Sequence, residues 1–151
     1  MGWFDEIWNE RDVEKFKQRF TEDAVCIGGA RTRYEGKEAI AAYQAVTSRF
    51  STDWAYETIK SLVDEDRYAV EWLLRGTHNA DSDRMGPATG KEWAIRGAFV
   101  GRRNDERIVE QADYWDTLGF MVAAGVIKLP PAIVGARRSW DRASFGETTI
   151  K

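Results

Sequence analysis

The chain has 151 residues, with 22 Lys and Arg against 25 Asp and Glu and a formal net charge of −3. That length accommodates one domain with one real core, and the charge balance excludes a broadly basic nucleic-acid binder. One cysteine and one histidine exclude a disulfide scaffold, a Cys-cluster metal site and a multi-histidine zinc site, and seven Trp, five Tyr and seven Phe exclude simple disorder.

The opening residues carry Asp5 and Glu6 and no apolar run, so they do not read as a secretory leader. No stretch of about eighteen apolar residues offers a membrane span, and the expectation is a cytoplasmic protein that binds neither membrane nor nucleic acid. Trp3, Phe4, Ile7 and Trp8 recur at helical spacing. Asp12 reads as an N-cap, and Val13, Phe16, Phe20 and Ala24 suggest a second helix behind it. Ala24 to Ile27 is a short strand, and Tyr34-Glu35-Gly36 is a turn. Ala39, Ile40, Tyr43, Val46 and Phe50 form one stripe and predict a third helix over residues 37–50.

The period then changes. Strands are predicted over 54–63, 68–78, 91–103 and 107–115, with turns at Asp64-Glu65-Asp66 and Asn104-Asp105 and a loop over 79–90. Residues 117–126 look helical, and Pro130-Pro131 stops that pattern. Helices followed by long antiparallel strands give an α+β class: three N-terminal helices on a curved antiparallel sheet, forming a cone with one open end. The domain spans 1–131, and residues 132–151 form a polar tail, either wrapping a second subunit or disordered.

Alternation sorts the faces of the strands. Val70, Trp72, Leu74, Gly76 and His78 share one face, and Trp93, Ile95, Gly97 and Phe99 share another. Glu71, Arg75, Glu92 and Arg96 fall on the opposite, solvated side. The last strand places Val109, Gln111, Asp113 and Trp115 together, with Ile108, Glu110, Ala112 and Tyr114 opposite. If Val109 and Trp115 point inward, so do Gln111 and Asp113. A carboxylate inside an aromatic cone has its pKa raised by desolvation, which suits it as a general base near neutral pH. Asp113 and His78 are therefore the candidate acid–base pair. An Asp in a strand also occurs as an exposed residue or a backbone partner, and a lone His at a strand end as a structural one. Gln111, Trp72, Trp93, Phe99, Trp115 and, from the third helix, Tyr43 are the candidates for contacting substrate. Cys26 reads as buried packing.

Several segments carry a family likeness in order and spacing. Ile7-Trp8-Asn9-Glu10-Arg11-Asp12 and Phe20-Thr21-Glu22-Asp23-Ala24-Val25 are followed by Tyr34-Glu35-Gly36-Lys37-Glu38-Ala39-Ile40. Arg75-Gly76-Thr77-His78 precedes Gly86-Pro87-Ala88-Thr89-Gly90-Lys91, and Asp113-Tyr114-Trp115-Asp116-Thr117-Leu118-Gly119 closes the series. Over residues 3–131 the chain resembles the SnoaL-like polyketide cyclases of the nuclear transport factor 2-like superfamily. The resemblance implies the α+β cone and intramolecular aldol chemistry with neither metal nor organic cofactor. It also implies an acid–base Asp at Asp113, a hydrophobic carbonyl substrate, and pairing as a homodimer through the convex face of the sheet. His78 is expected to be the hydrogen-bond donor to the developing oxyanion. Gln111-Ala112 stand where many relatives have His-Trp. Three alternatives remain open: a non-catalytic ligand-binding or dimerisation module of the same fold, an epoxide hydrolase of the limonene epoxide type, which needs an Asp-Arg-Asp constellation, and a ketosteroid isomerase-like proton shuttle, which needs an inward Tyr or a protonated acid as oxyanion donor.

Overall fold

The computed structural model describes residues 2–29 and 32–130. The expected tail over 132–151 lies outside the described residues. The elements run α1 Trp3–Trp8, α2 Val13–Lys17, β1 Phe20–Ile27, β2 Arg33–Glu35, α3 Lys37–Thr47, β3 Ala55–Asp64, β4 Arg67–Thr77, β5 Glu92–Asn104, β6 Arg107–Trp115 and α4 Thr117–Ala123. The six strands form one curved, unclosed sheet in the order β2-β1-β6-β5-β4-β3. β1 runs parallel to β6, and every other neighbouring pair is antiparallel. No helix among the described residues is long and apolar enough to cross a membrane.

The helices form where the apolar stripe and the caps agree. In α1, Phe4, Ile7 and Trp8 are buried together. Asn9, just past its end, bonds both backbone groups of Tyr56, and the Asp5 carboxylate accepts from the Thr58 amide at 2.7 Å. The first helix thereby occupies part of the open edge of β3, which would otherwise invite pairing with another chain. Asp12 caps α2 as expected, accepting from the amides of Glu14 and Lys15. α2 ends at Lys17, however, and Phe20 opens β1. Phe20 and Ala24 are four apart, which satisfies a helix stripe and also a strand of period two; Cys26, buried two residues further on, belongs only to the latter. The expected turn at Tyr34 is instead the short strand β2, with the left-handed Gly36 (φ 80°) turning the chain into α3. α3 stops at Thr47, where the Thr47 and Ser48 hydroxyls bond back to the carbonyls of Tyr43 and Gln44.

Both predicted hairpin turns are present, with Glu65 (φ 50°) and Asp105 (φ 53°) in the left-handed region. Parity holds along β4 and β5: Tyr68, Val70 and Trp72 are buried, as are Trp93, Ile95 and Phe99. On the outer side Arg96 pairs with Glu71, and Arg75 lies 3.6 Å from Glu57. Parity fails once. Arg102 faces Glu110 but Arg103 faces Ile108, so Val109 is an extra residue on β6. This bulge turns Ile108 into the core, where it is fully buried, and leaves Val109 half-buried. The expected grouping of Val109 with Gln111 and Asp113 is thus corrected, while Gln111 and Asp113 keep their inward direction.

Two glycines set how closely the inner side chains approach the sheet. At Gly97 a Cβ would run into the Trp72 indole, and at Gly101 into the Tyr68 phenol and the Glu110 carbonyl. α4 closes one end, with Phe120 at 5.4 Å from Phe50 and 5.1 Å from Trp93 between ring centres.

Candidate active site

Between α3, the inner face of the sheet and α4 lies a cavity of about 310 Å³. Its wall is rich in aromatic rings, among them Trp54, Tyr56, Trp72, Trp93 and Trp115 from the sheet side and Tyr43 from α3. The lining holds one acid, Asp113, and one cation, the exposed Arg84 of the 79–90 loop.

Asp113 is placed by β6 directly opposite Phe99 of β5, and Phe99 stacks on Trp8 and packs on Trp72. The residue is half-buried, and the desolvation that these apolar neighbours impose on its carboxyl pushes the pKa up from 3.8 to about 7. One interaction opposes this: Gln111 Nε2 donates to Asp113 Oδ1 at 2.9 Å and favours the charged form. Oδ2 accepts no hydrogen bond, and the carboxylate forms no ion pair, among the described residues. Gln111 is itself fixed, because Tyr68 Oη donates to its Oε1 at 2.9 Å.

Three phenols and a thiol share this neighbourhood. Burial, reinforced by the Asp113 charge, pushes Tyr43 up to about 12 and Tyr56 well above its ordinary value. Burial likewise raises Tyr68 and Cys26, with smaller contributions from charge. All four stay protonated while Asp113 titrates. No metal-holding group of three or more His, Cys, Asp or Glu occurs among the described residues.

The cavity brings together Asp113, Trp72, Trp93, Trp115 and Tyr43 of the expected site. Gln111 and Phe99 lie behind its wall, where they support Asp113 instead of facing a ligand. His78 is fully buried at the end of β4 but is not part of the lining. The Thr89 hydroxyl gives its single proton to the Ala124 carbonyl at 2.6 Å, so His78 Nδ1, 3.2 Å from the same hydroxyl, is the donor of that pair. Nε2 has no partner among the described residues. His78 thus ties the 79–90 loop to the end of α4, and the expected donor role toward substrate does not fit its position. Tyr56, Tyr68 and Arg84 were not anticipated. Tyr56 shares the parity of Trp54 and Tyr68 that of Val70 and Trp72, so alternation could have exposed both; a loop arginine carries no such signal. The Asp-Arg-Asp constellation of an epoxide hydrolase is absent from this lining, which holds a single carboxylate.

No curated protein matches the chain. Among solved structures it is similar to one described as a SnoaL-like polyketide cyclase from Jannaschia sp. CCS1, with 20% identity, 83% of this chain and 88% of that one covered, and a TM-score of 0.72. It is similar to IdmH from Streptomyces antibioticus, described as a polyketide cyclase, at 23% identity, 81% and 93% coverage and a TM-score of 0.70. A third, from Catenulispora acidiphila, has a ketosteroid isomerase-like fold and was solved with trimethylamine; it shows 17% identity, 84% and 94% coverage and a TM-score of 0.68. These identities establish the shared fold. The sequence profile of the SnoaL-like domain covers residues 2–111, and the chain therefore belongs to the SnoaL-like family.

Proposed function

We propose that this protein is a cofactor-independent cyclase or isomerase acting on a hydrophobic, polyketide-like carbonyl compound, with Asp113 as its acid–base residue. The observation that carries the reading is a carboxyl held near neutral pKa in an aromatic cavity, with one oxygen left without a partner among the described residues. Such a base is matched to work near pH 7. Asp113 removes a proton from the carbon beside a carbonyl, and the C–H electron pair moves onto the carbonyl oxygen as an enolate. The enolate carbon bonds to a second carbonyl carbon of the same molecule. The alkoxide so formed takes the proton back from Asp113. Tyr43 and Tyr56, protonated phenols in the cavity wall, supply hydrogen bonds to the developing oxyanion. The Trp side chains hold the flat apolar body of the substrate by stacking and burial.

The test is proton exchange at carbon. A panel of polycyclic and linear polycarbonyl compounds is incubated in D2O, and exchange beside the carbonyl is followed by NMR. Exchange by the wild type that falls about 10²- to 10⁴-fold in Asp113→Asn supports the reading. Equal exchange in both proteins, with ligand binding retained, would move the protein to the ligand-binding class.

A homodimer belongs to the same proposal. The outer face of the sheet exposes Leu62 (70%), Tyr114 (62%), Val100 and Ile27, a set of apolar side chains that a second copy would cover. Leu62→Glu combined with Tyr114→Lys is expected to give a monomer in analytical ultracentrifugation; a wild type that is itself monomeric at all concentrations refutes this part. A cytoplasmic location is supported by the single Cys26, a buried free thiol.

A further inference from the structure

Tyr68, Gly101 and Gln111 are side-by-side neighbours on β4, β5 and β6. The central position has no side chain, and a Cβ there would stand 2.6 Å from Tyr68 Oη. The phenol crosses the sheet over that glycine and reaches Gln111. Both Tyr68 and Gln111 are almost completely buried. The chain of bonds then runs Tyr68 Oη to Gln111 Oε1 at 2.9 Å, and Gln111 Nε2 to Asp113 Oδ1 at 2.9 Å.

This order of donors and acceptors has a chemical consequence. A phenol whose pKa is raised by burial remains a donor at every working pH. Its proton has two acceptors in reach, Gln111 Oε1 at 2.9 Å and the Glu110 carbonyl at 3.5 Å, and the shorter bond marks the near end of the Gln111 amide as the oxygen, so the other end, facing Asp113, is the NH2 group. An NH2 group only donates. A proton on Oδ1 would point at that NH2 group, whereas Oδ2 has no partner among the described residues, and Asp113 lines the cavity. We propose that Tyr68, acting through Gln111, is a positioning residue that confines the proton traffic of Asp113 to Oδ2, the oxygen presented to substrate. The proposal rests on the reading of Asp113 as the acid–base residue. It adds that one face of the carboxyl is reserved for structure and the other for chemistry.

The test is a carbon-detected NMR titration of the Asp113 carboxyl in wild type, Tyr68→Phe, Gln111→Leu and the double variant. The groups facing Asp113 are Cys26 of β1, Tyr43 of α3, Tyr56 of β3, Tyr68 of β4 and Arg84 of the loop. None of the phenols or the thiol ionises in the window, so the midpoint reports the relay. Loss of the Gln111 donor is expected to raise the midpoint by about one pH unit. Tyr68→Phe, which frees the amide to rotate, raises it by less. The double variant matches Gln111→Leu alone, because Tyr68 acts only through Gln111. An unchanged midpoint in Tyr68→Phe overturns the proposal, as does a Tyr68→Phe shift that persists in the Gln111→Leu background. Tyr68→Phe removes one oxygen and keeps the packed ring, so it remains a usable test if Gln111→Leu does not fold. With a reactive substrate in hand, the acid limb of the pH–kcat/KM profile of Tyr68→Phe, which reports the free enzyme, moves by the same amount as the NMR midpoint. The titration needs no turnover, so full activity in Asp113→Asn would sink the functional reading without altering the relay result.

Discussion

The Asp113 carboxyl makes a quantitative claim about stability. Its pKa is about 7 in the folded protein against an ordinary 3.8. The folded state therefore holds a proton that the unfolded chain has already lost, and stability falls as pH rises between these two values, then levels off. About three pH units at 1.36 kcal/mol each set a total of about 4 kcal/mol, of which roughly 2.7 kcal/mol lies between about pH 5 and pH 8.5. Asp113→Asn removes the ionisation and keeps an oxygen for Gln111 Nε2 to bond. The variant is expected to gain on the wild type by about 2–3 kcal/mol between about pH 5 and pH 8.5, or about 5–10 °C in Tm for a chain of this size. Urea unfolding of both proteins at the two pH values measures it. Every other titrating group is common to the pair and cancels in the difference. A stability difference that does not change with pH over this window would refute the burial argument, because a solvated or ion-paired carboxylate is already ionised in both states by about pH 5.

Other residues make sharper or simpler claims. Tyr43→Phe and Tyr56→Phe each remove a proposed donor to the oxyanion and should lower kcat by up to about 10²-fold with little change in ligand Kd; if neither variant slows turnover, the donor lies elsewhere. Gly101→Ala puts a Cβ against the Glu110 carbonyl as well as the Tyr68 phenol and should cost more than about 2 kcal/mol in urea unfolding, since backbone cannot give way as a side chain tip can. Thr89→Val leaves the Ala124 carbonyl and His78 Nδ1 without the hydroxyl between them, so it should cost about 1–3 kcal/mol while turnover per folded molecule is unchanged. A loss of kcat in that variant with stability intact would return His78 to the chemistry.

Much of this arrangement is legible before any coordinates, and the parts that are not have a common cause. Long strands with β-branched and aromatic residues on one parity, such as Arg67–Thr77, state their inner face directly. Segments with two valid periods do not: Phe20 and Ala24 fit a helix until the buried Cys26 is counted with them. A single extra residue, Val109, is invisible to alternation, although it decides that Ile108 and Gln111 point to the same side. Parity also cannot separate a residue that faces the cavity from one that sits below the floor of it. Gln111, Phe99 and His78 are all inward, yet only their lateral neighbours tell what they do there: Tyr68 reaching over Gly101, Asp113 across the β5–β6 ladder, and Thr89 from the loop. Register across strands assigns these partners, and it arises from turn and bulge geometry spread over the whole sheet. The carboxyl is therefore the one site residue whose role could be argued from its own position in the chain. The sequence marks Asp113 as an acid on the same strand face as Trp115, and desolvation follows once that face turns inward. Its orientation, with one oxygen tied to Gln111 and the other without a partner among the described residues, comes only from the fold.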